Sequence, residues 1–265
     1  NVKSLNEGRE LILSPNKTCW NDFDQYDCCF LTIKGNENRL NDLSKHFNRL
    51  QIKVQKFMGI NIDNLSNFIK DKSILDSNKS TALCCFCSHL ICLKFMINNS
   101  NKSHFLIMED DVRLFPSPKN INAIFEIEED WDIIQLGTCH LKAQSELDLL
   151  YDSGEVISRW VPERFGTHAY IISKEYAQKL IKKYTDQNNH NLIDLSKAYG
   201  LLVADRLLFQ SGDSFTMTFP IALQCHKYES SIGYEKSHDD HHLSQERYLI
   251  SKWLNEGHDF YFKPS

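Results

Sequence analysis

The stretch that most limits how this chain can fold is Ser103 to Phe115, in which His104-Phe105-Leu106-Ile107-Met108 runs directly into Glu109-Asp110-Asp111 and then Val112. The unbroken apolar run Phe105 to Met108 reads as a short strand buried on both faces. Three adjacent carboxylates repel one another, and burying them unpaired would cost several kcal/mol each, on the order of 3 or more. A chain that places them at the end of a core strand needs positive charge there. A divalent cation is the simplest candidate; a cage of Arg or Lys, with Arg113 close by, is the alternative.

The segments around this strand predict an α/β chain. Residues up to about Asp27 carry no sustained period and read as an N-terminal arm, 1–27. Cys28 to Ile33 is a short apolar run closed by Lys34-Gly35-Asn36, a strand and a turn. Arg39 to Leu50 places Leu40, Leu43, Phe47 and Leu50 at helical spacing, and Ile52 to Met58 alternates as a second strand. Strand, helix, strand at this spacing is a βαβ unit, which favours parallel pairing. Thr81 to Asn98 is apolar almost all the way round, as in a helix packed inside a protein. Trp131 to Leu136 reads as another buried strand closed by Gly137, and Val156 to Trp160 as a short one. Ala169 to Ser173 is a strand whose Ser173 is placed to cap a helix over Lys174 to Tyr184. Ile121 to Phe125, Leu201 to Gln210 and Leu243 to Leu254 suggest further helices, and Phe219 to Leu223 a late apolar run. Residues 138–154 show no clear pattern. The organisation expected is one α/β domain over 28–235, with a mixed, mostly parallel sheet flanked by helices, and a C-terminal extension over 236–265.

The 265 residues, 42% hydrophobic and 25% charged, suit an ordinary globular core. A formal net charge of -5 gives no support for nucleic-acid binding through a broad basic face. No signal-peptide pattern is seen, and no membrane-spanning segment is expected. The nine cysteines are odd in number and cluster inside apolar segments. Cys84-Cys85-Phe86-Cys87 lacks the paired spacing of a structural zinc site, so reduced, buried cysteines and a reducing compartment are expected.

Acid-x-acid at the carboxyl end of a strand suits a ligand site in an open α/β sheet. Hard oxygen ligands favour Mg²⁺ or Mn²⁺ over zinc, and such a metal on a diphosphate would neutralise the charge of a departing nucleotide. His89, preceded by Ser88 in the apolar helix, reads first as a core histidine bonded to backbone or to an acid.

Together, Phe30-Leu31-Thr32-Ile33 with Arg39, Cys87-Ser88-His89, Leu106 to Val112, Trp131 to Gly137 and Ala169 to Ser173 resemble glycosyltransferase family 25. That family includes lipooligosaccharide and collagen hydroxylysine galactosyltransferases. The resemblance spans roughly Cys28 to Ile232. It implies a GT-A type fold, a UDP-sugar donor, Mn²⁺ or Mg²⁺, and inverting transfer of a hexose to a hydroxyl of a glycan or of a hydroxylysine-type protein. By position it makes Asp111 the direct metal ligand, with Glu109 facing metal or ribose, and sets Asp110, Ser88 and His89 on the nucleotide side. Thr32, Lys34 and Arg39 would lie against the nucleotide. Asp205, in Ala204-Asp205-Arg206, is the candidate base, against a surface acid paired with Arg206. His226 is the candidate late metal ligand, and Gln224 with Ser230-Ser231-Ile232 resembles the family's closing motif. Trp160 and His168 are candidates for the acceptor cleft. The first strand's usual Asn-Leu and basic opening is replaced here by Thr32-Ile33-Lys34-Gly35-Asn36. Two other classes compete: a catalytically silent relative that binds a sugar or a partner protein, and a metal-dependent nuclease, which the net charge disfavours.

Overall fold

The computed structural model describes residues 10–13, 26–50, 52–76, 80–114, 130–139, 141–198, 202–225, 247–248, 251 and 260–263. The expected helix over Ile121 to Phe125, the Ser230-Ser231-Ile232 step, His226 and nearly all of Leu243 to Leu254 lie outside them. Strand β1 (Glu10–Leu13) lies in the expected N-terminal arm. Then come β2 (Tyr26–Thr32), α1 (Glu37–Leu50), β3 (Val54–Met58), the single turn α2 (Ile62–Leu65) and the long α3 (Ser80–Asn99). The acidic segment forms β4 (His104–Glu109), a two-residue turn, and β5 (Val112–Leu114). After β6 (Ile133–Gln135) follow α4 (Leu141–Asp152), β7 (Ile157–Arg159), β8 (Ala169–Ser173), α5 (Lys174–Tyr184) and α6 (Ala204–Phe209). Strands β9 (Ser214–Met217), β10 (Ala222–Gln224) and β11 (Phe260–Lys263) complete the order, and β11 pairs antiparallel with β1.

Seven strands form the central sheet in the order β3-β2-β4-β8-β6-β9-β7. Strand β2 runs parallel to β3 and β4, and β6 to β9; β8 is antiparallel to both β4 and β6, and β7 to β9. The sheet is therefore mixed, with half of its pairings parallel. The βαβ reading holds for β2-α1-β3, whereas β8 enters between β4 and β6 in the reverse direction. A short second ladder joins β10 to β5, setting Gln224 opposite Val112.

Side chains of β4 alternate between two cores. Leu106 and Met108 pack with Leu43, Phe47 and Leu50 of α1, while Phe105 and Ile107 pack with α3, α5 and α6. All four are fully buried, so the continuous apolar run is the signature of a strand covered on both faces. Helix α3 is the described helix long and apolar enough to cross a membrane by composition. It departs from the expectation that no such segment exists, yet it packs on β2, α5 and α6 inside the second core. Ser173 caps α5 as its sequence predicts, accepting a hydrogen bond from the Tyr176 amide.

Two elements escape periodicity for the same reason. Helix α4 buries Gln144 and Asp148 beside Ala143 and Leu147, and Gln144 donates to Asp148 at 3.0 Å, so half of its inner face is polar. Strand β9 buries Ser214 and Thr216; Thr216 donates to Gln135 and Ser214 to the Phe209 carbonyl. Paired internally apart from the Oε1 of Gln144, these polar groups tolerate burial and erase the apolar pattern. Gly137 closes β6 because no side chain fits: a Cβ there would stand 2.1 Å from the Ala222 carbonyl oxygen. The eight described cysteines are all free thiols, five of them buried.

Candidate active site

Parallel strands β2, β3 and β4 end together, and the acids of the β4–β5 turn stand at that carboxyl edge. The three acids meet three different fates. Asp110 is caged: Thr32 at the end of β2 and Asn36 before α1 each donate to its Oδ2 at 2.7 Å. Arg39, in the first turn of α1, contacts its Oδ1 at 2.8 Å, and both charged side chains are only 8% exposed. The cage expected as an alternative to a metal thus exists, but it holds one acid and uses Arg39. Arg113 instead donates to the Val112 carbonyl.

Glu109 is held from the opposite side. Thr167 donates to its Oε1 at 2.5 Å, and His89 Nε2 lies 3.3 Å from the same oxygen. The other ring nitrogen of His89 meets the Tyr170 hydroxyl at 2.9 Å, so this buried histidine is satisfied at both ends, as a core histidine bonded to an acid should be. Burial works to raise the Glu109 pKa, but the His89 hydrogen bond and charge, the Thr167 hydroxyl and His168 hold it below the usual carboxylate range.

Asp111 is the exception. Its Oδ2 accepts from Gln224 Nε2 at 2.9 Å and lies 3.9 Å from Arg39, while its buried Oδ1 has no hydrogen-bond partner. Burial and then the Glu109 charge push its pKa up to about 7, despite the opposing pull of Gln224 and Arg39. An orphaned carboxylate oxygen beside a second carboxylate is a donor set that a hard divalent cation fits. The pairing of β5 with β10 brings Gln224 there, and the Cys225 amide donates to the Asp111 carbonyl at 2.6 Å.

These acids open onto a cavity of about 380 Å³, whose walls include Thr32, Arg39, Ile60, Asn61, Thr81, Cys85, Ser88, His89 and Gln224. Ser88 shapes the wall: it accepts from the Ile60 amide at 2.8 Å and donates to the Cys84 carbonyl, fixing the loop after β3 onto α3. Lys34 is exposed in the turn after β2 and is not part of this lining. Cys85, His89 and Glu109 present a second set of donors whose ligand atoms all lie within 4.8 Å of one another.

Asp205 is half-buried in the first turn of α6 and does not line the cavity. Its Oδ1 accepts from the Gly166 amide at 2.6 Å rather than pairing with Arg206 on the surface. Gly166 takes a φ of +127°, and a Cβ there would press on His168 and Cys139, so only glycine presents this amide without strain. Burial drives the Asp205 pKa up to about 6; the Gly166 hydrogen bond opposes the shift, and the Glu109 charge adds to it. His168 is buried between Cys139 and the Ala222 carbonyl. Trp160 stacks on Phe209 in the core, its ring nitrogen bonded to the Arg164 carbonyl. Neither lines the cavity that the three acids border. Sequence reasoning missed Asn36, Thr167 and Gly166, which hold the acids from loops distant in the chain and leave no local signal.

Distant structural likenesses include A197 from STIV, 11% identical over 79% of this chain and 99% of that one, with a TM-score of 0.36. GlyE from Streptococcus pneumoniae TIGR4 is 10% identical over 91% and 66%, with 0.38, and the galactosyltransferase LgtC 9% over 72% of both, with 0.35. No curated protein matches the chain at a significant level. A sequence-family match does: residues 30–195, well over half of the chain and inclusive of the caged, clamped and orphaned acids, fit the family described as Glycosyltransferase family 25 (LPS biosynthesis protein). The chain therefore belongs to glycosyltransferase family 25 and is a glycosyltransferase.

Proposed function

We propose that this enzyme transfers a hexose from a UDP-sugar to a hydroxyl acceptor, with inversion and with a divalent cation, Mn²⁺ or Mg²⁺, at Asp111 and Glu109. The observation that carries the reading is the buried, partnerless Oδ1 of Asp111, a residue that lines the cavity. When bound, the cation supplies positive charge for the diphosphate that leaves. Thr167 and His89 fix the Glu109 carboxylate through one oxygen, Gln224 fixes Asp111 through Oδ2, and Arg39 holds Asp110 so that the turn keeps its shape. The cavity, with apolar Ile60 beside polar Asn61 and Thr81, suits a nucleoside. The nuclease alternative loses its basis in the family match and in the net charge of -5.

A UDP-sugar with Mn²⁺ at a hundredfold excess over its dissociation constant should stabilise the protein by about 2.7 kcal/mol, raising Tm by roughly 5–10 °C. GDP- and CMP-sugars should not match this shift. Turnover of the stabilising donor completes the test; binding without turnover would point to a silent relative, and no metal-dependent shift would refute the reading.

Asp205 takes the acceptor's proton in this proposal, because a sugar or hydroxylysine alcohol is a weak nucleophile at neutral pH. With a pKa of about 6 the carboxylate is ionised at neutral pH and still basic enough to accept a proton. Asp205→Asn is expected to lower kcat by roughly 10²–10⁴ while leaving UDP affinity unchanged. At saturating metal, wild-type kcat should fall about tenfold per unit below pH 6, and the variant should lose that acid limb. An unchanged pH profile in the variant would exclude Asp205 as the base.

A further inference from the structure

Helix α3 carries Cys85 and His89 one turn apart, so both side chains emerge on the same helical face. That face meets the end of β4, where Glu109 completes a set of thiol, imidazole and carboxylate within 4.8 Å. His89 Nε2 and Glu109 Oε1 are 3.3 Å apart, which matches the separation of about 3.3 Å between nitrogen and oxygen ligands on a tetrahedral ion bound at about 2.0 Å. The supporting shell is also present. Metal-bound imidazoles donate their other N–H to an oriented oxygen, and here Nδ1 lies 2.9 Å from the Tyr170 hydroxyl. Thr167 fixes the carboxylate in the same way. All three donors border the cavity, which leaves a fourth position open to water.

From this geometry we propose a second cation site, for a borderline or soft divalent ion of the Zn²⁺ class, formed by Cys85, His89 and Glu109. It differs in chemistry from the oxygen set at Asp111, because a thiolate and an imidazole select Zn²⁺ or Cd²⁺ over Mg²⁺ and Mn²⁺. Binding replaces the His89–Glu109 hydrogen bond: Nε2 gives its lone pair to the metal, Nδ1 carries the ring proton to Tyr170, and the Cys85 thiol proton leaves to solvent. Because the two sets share the Glu109 carboxylate, a cation held here repels a second cation at the hard-metal site. Zn²⁺ is then an inhibitor that competes with Mn²⁺; this consequence, unlike the binding itself, rests on the function proposed above.

Cd²⁺ alone, titrated into the full chain under reducing conditions, reads the site directly through the ultraviolet thiolate-to-metal band. One equivalent should saturate the tightest phase, and Cys85→Ser should remove that phase while Cys139→Ser retains it. His89→Gln should weaken it at least tenfold, with near-ultraviolet circular dichroism confirming that each variant is folded. A tight phase that survives Cys85→Ser, or none in the wild type, overturns the proposal. In turnover assays with Mn²⁺, the concentration of Zn²⁺ giving half inhibition should rise at least tenfold in Cys85→Ser relative to that variant's own uninhibited rate. Should no donor support turnover, the function proposal fails and the Cd²⁺ titration still decides the site.

Discussion

Asp111→Asn is expected to abolish sugar transfer and, in metal-free protein above neutral pH, to raise thermal stability. Both effects come from the same oxygen. Losing the carboxylate removes the ligand that anchors the cation, and kcat should drop by roughly 10³-fold or more. The carboxylate also burdens the metal-free fold, since it is buried beside Glu109 with Oδ1 unpaired. Its pKa rises from the ordinary 3.8 to about 7 in the folded chain, so between these values the folded state binds more protons than the unfolded state. Stability therefore falls as pH rises through this window, and above pH 7 the whole burden is present. Three pKa units correspond to about 4 kcal/mol, an upper bound on what the neutral amide relieves. In chelator at pH 8, Asp111→Asn should melt about 5 °C or more above wild type, and at pH 4 the two should coincide. Equal melting temperatures at pH 8 would show that Asp111 carries no such burden. The same proton links metal to pH: wild-type Mn²⁺ affinity should weaken about tenfold per unit below pH 7, because the ligand must deprotonate first.

Arg39→Ala is expected to be the most destabilising change at the site. Arg39 and Asp110 are each 8% exposed and 2.8 Å apart, and Arg39 also lies 3.9 Å from Asp111. Removing the guanidinium leaves Asp110 as a buried charge with only the Thr32 and Asn36 hydrogen bonds to support it. Breaking one partner of a buried pair costs about 3–5 kcal/mol, which lowers Tm by about 10 °C for a chain of this size. Adding Asp110→Asn should recover much of the loss, because the amide removes the unpaired charge. Denaturant titration of the two single variants and the double variant measures the coupling. Strict additivity would show that the pair contributes nothing as a pair. Asp110 and Asp111 are the two residues of the turn between β4 and β5, so a loss of metal affinity should accompany the loss of stability.

Much of the fold was legible in the sequence because burial leaves periodic marks. The continuous apolar run of β4, the all-round apolar α3 and the amphipathic α1 each follow from how many of their faces are covered. Where polar side chains are buried in pairs, as Gln144 with Asp148 and Thr216 with Gln135, the marks vanish and α4 and β9 went unread. The reversed direction of β8 was unreadable for a different reason. A strand buried on both faces has the same composition whichever way it runs, so direction is set by the neighbours it reaches.

By itself, the sequence determined that three acids end a core strand, that they need compensation, and that the surrounding segments resemble a sugar-transferase family. Two accounts of that compensation, cation and cage, stood as rivals. Only the tertiary structure divided the acids between them. Asp110 is caged because β2 ends beside β4 with Thr32 and leads into α1, whose first turn carries Arg39. Glu109 is clamped because α3 and the segment before β8 converge on it, and Asp111 is left with one bare oxygen because β10 supplies a single amide. Partners separated by 20 to 113 residues make these choices, and no local pattern among the acids distinguishes one from the next.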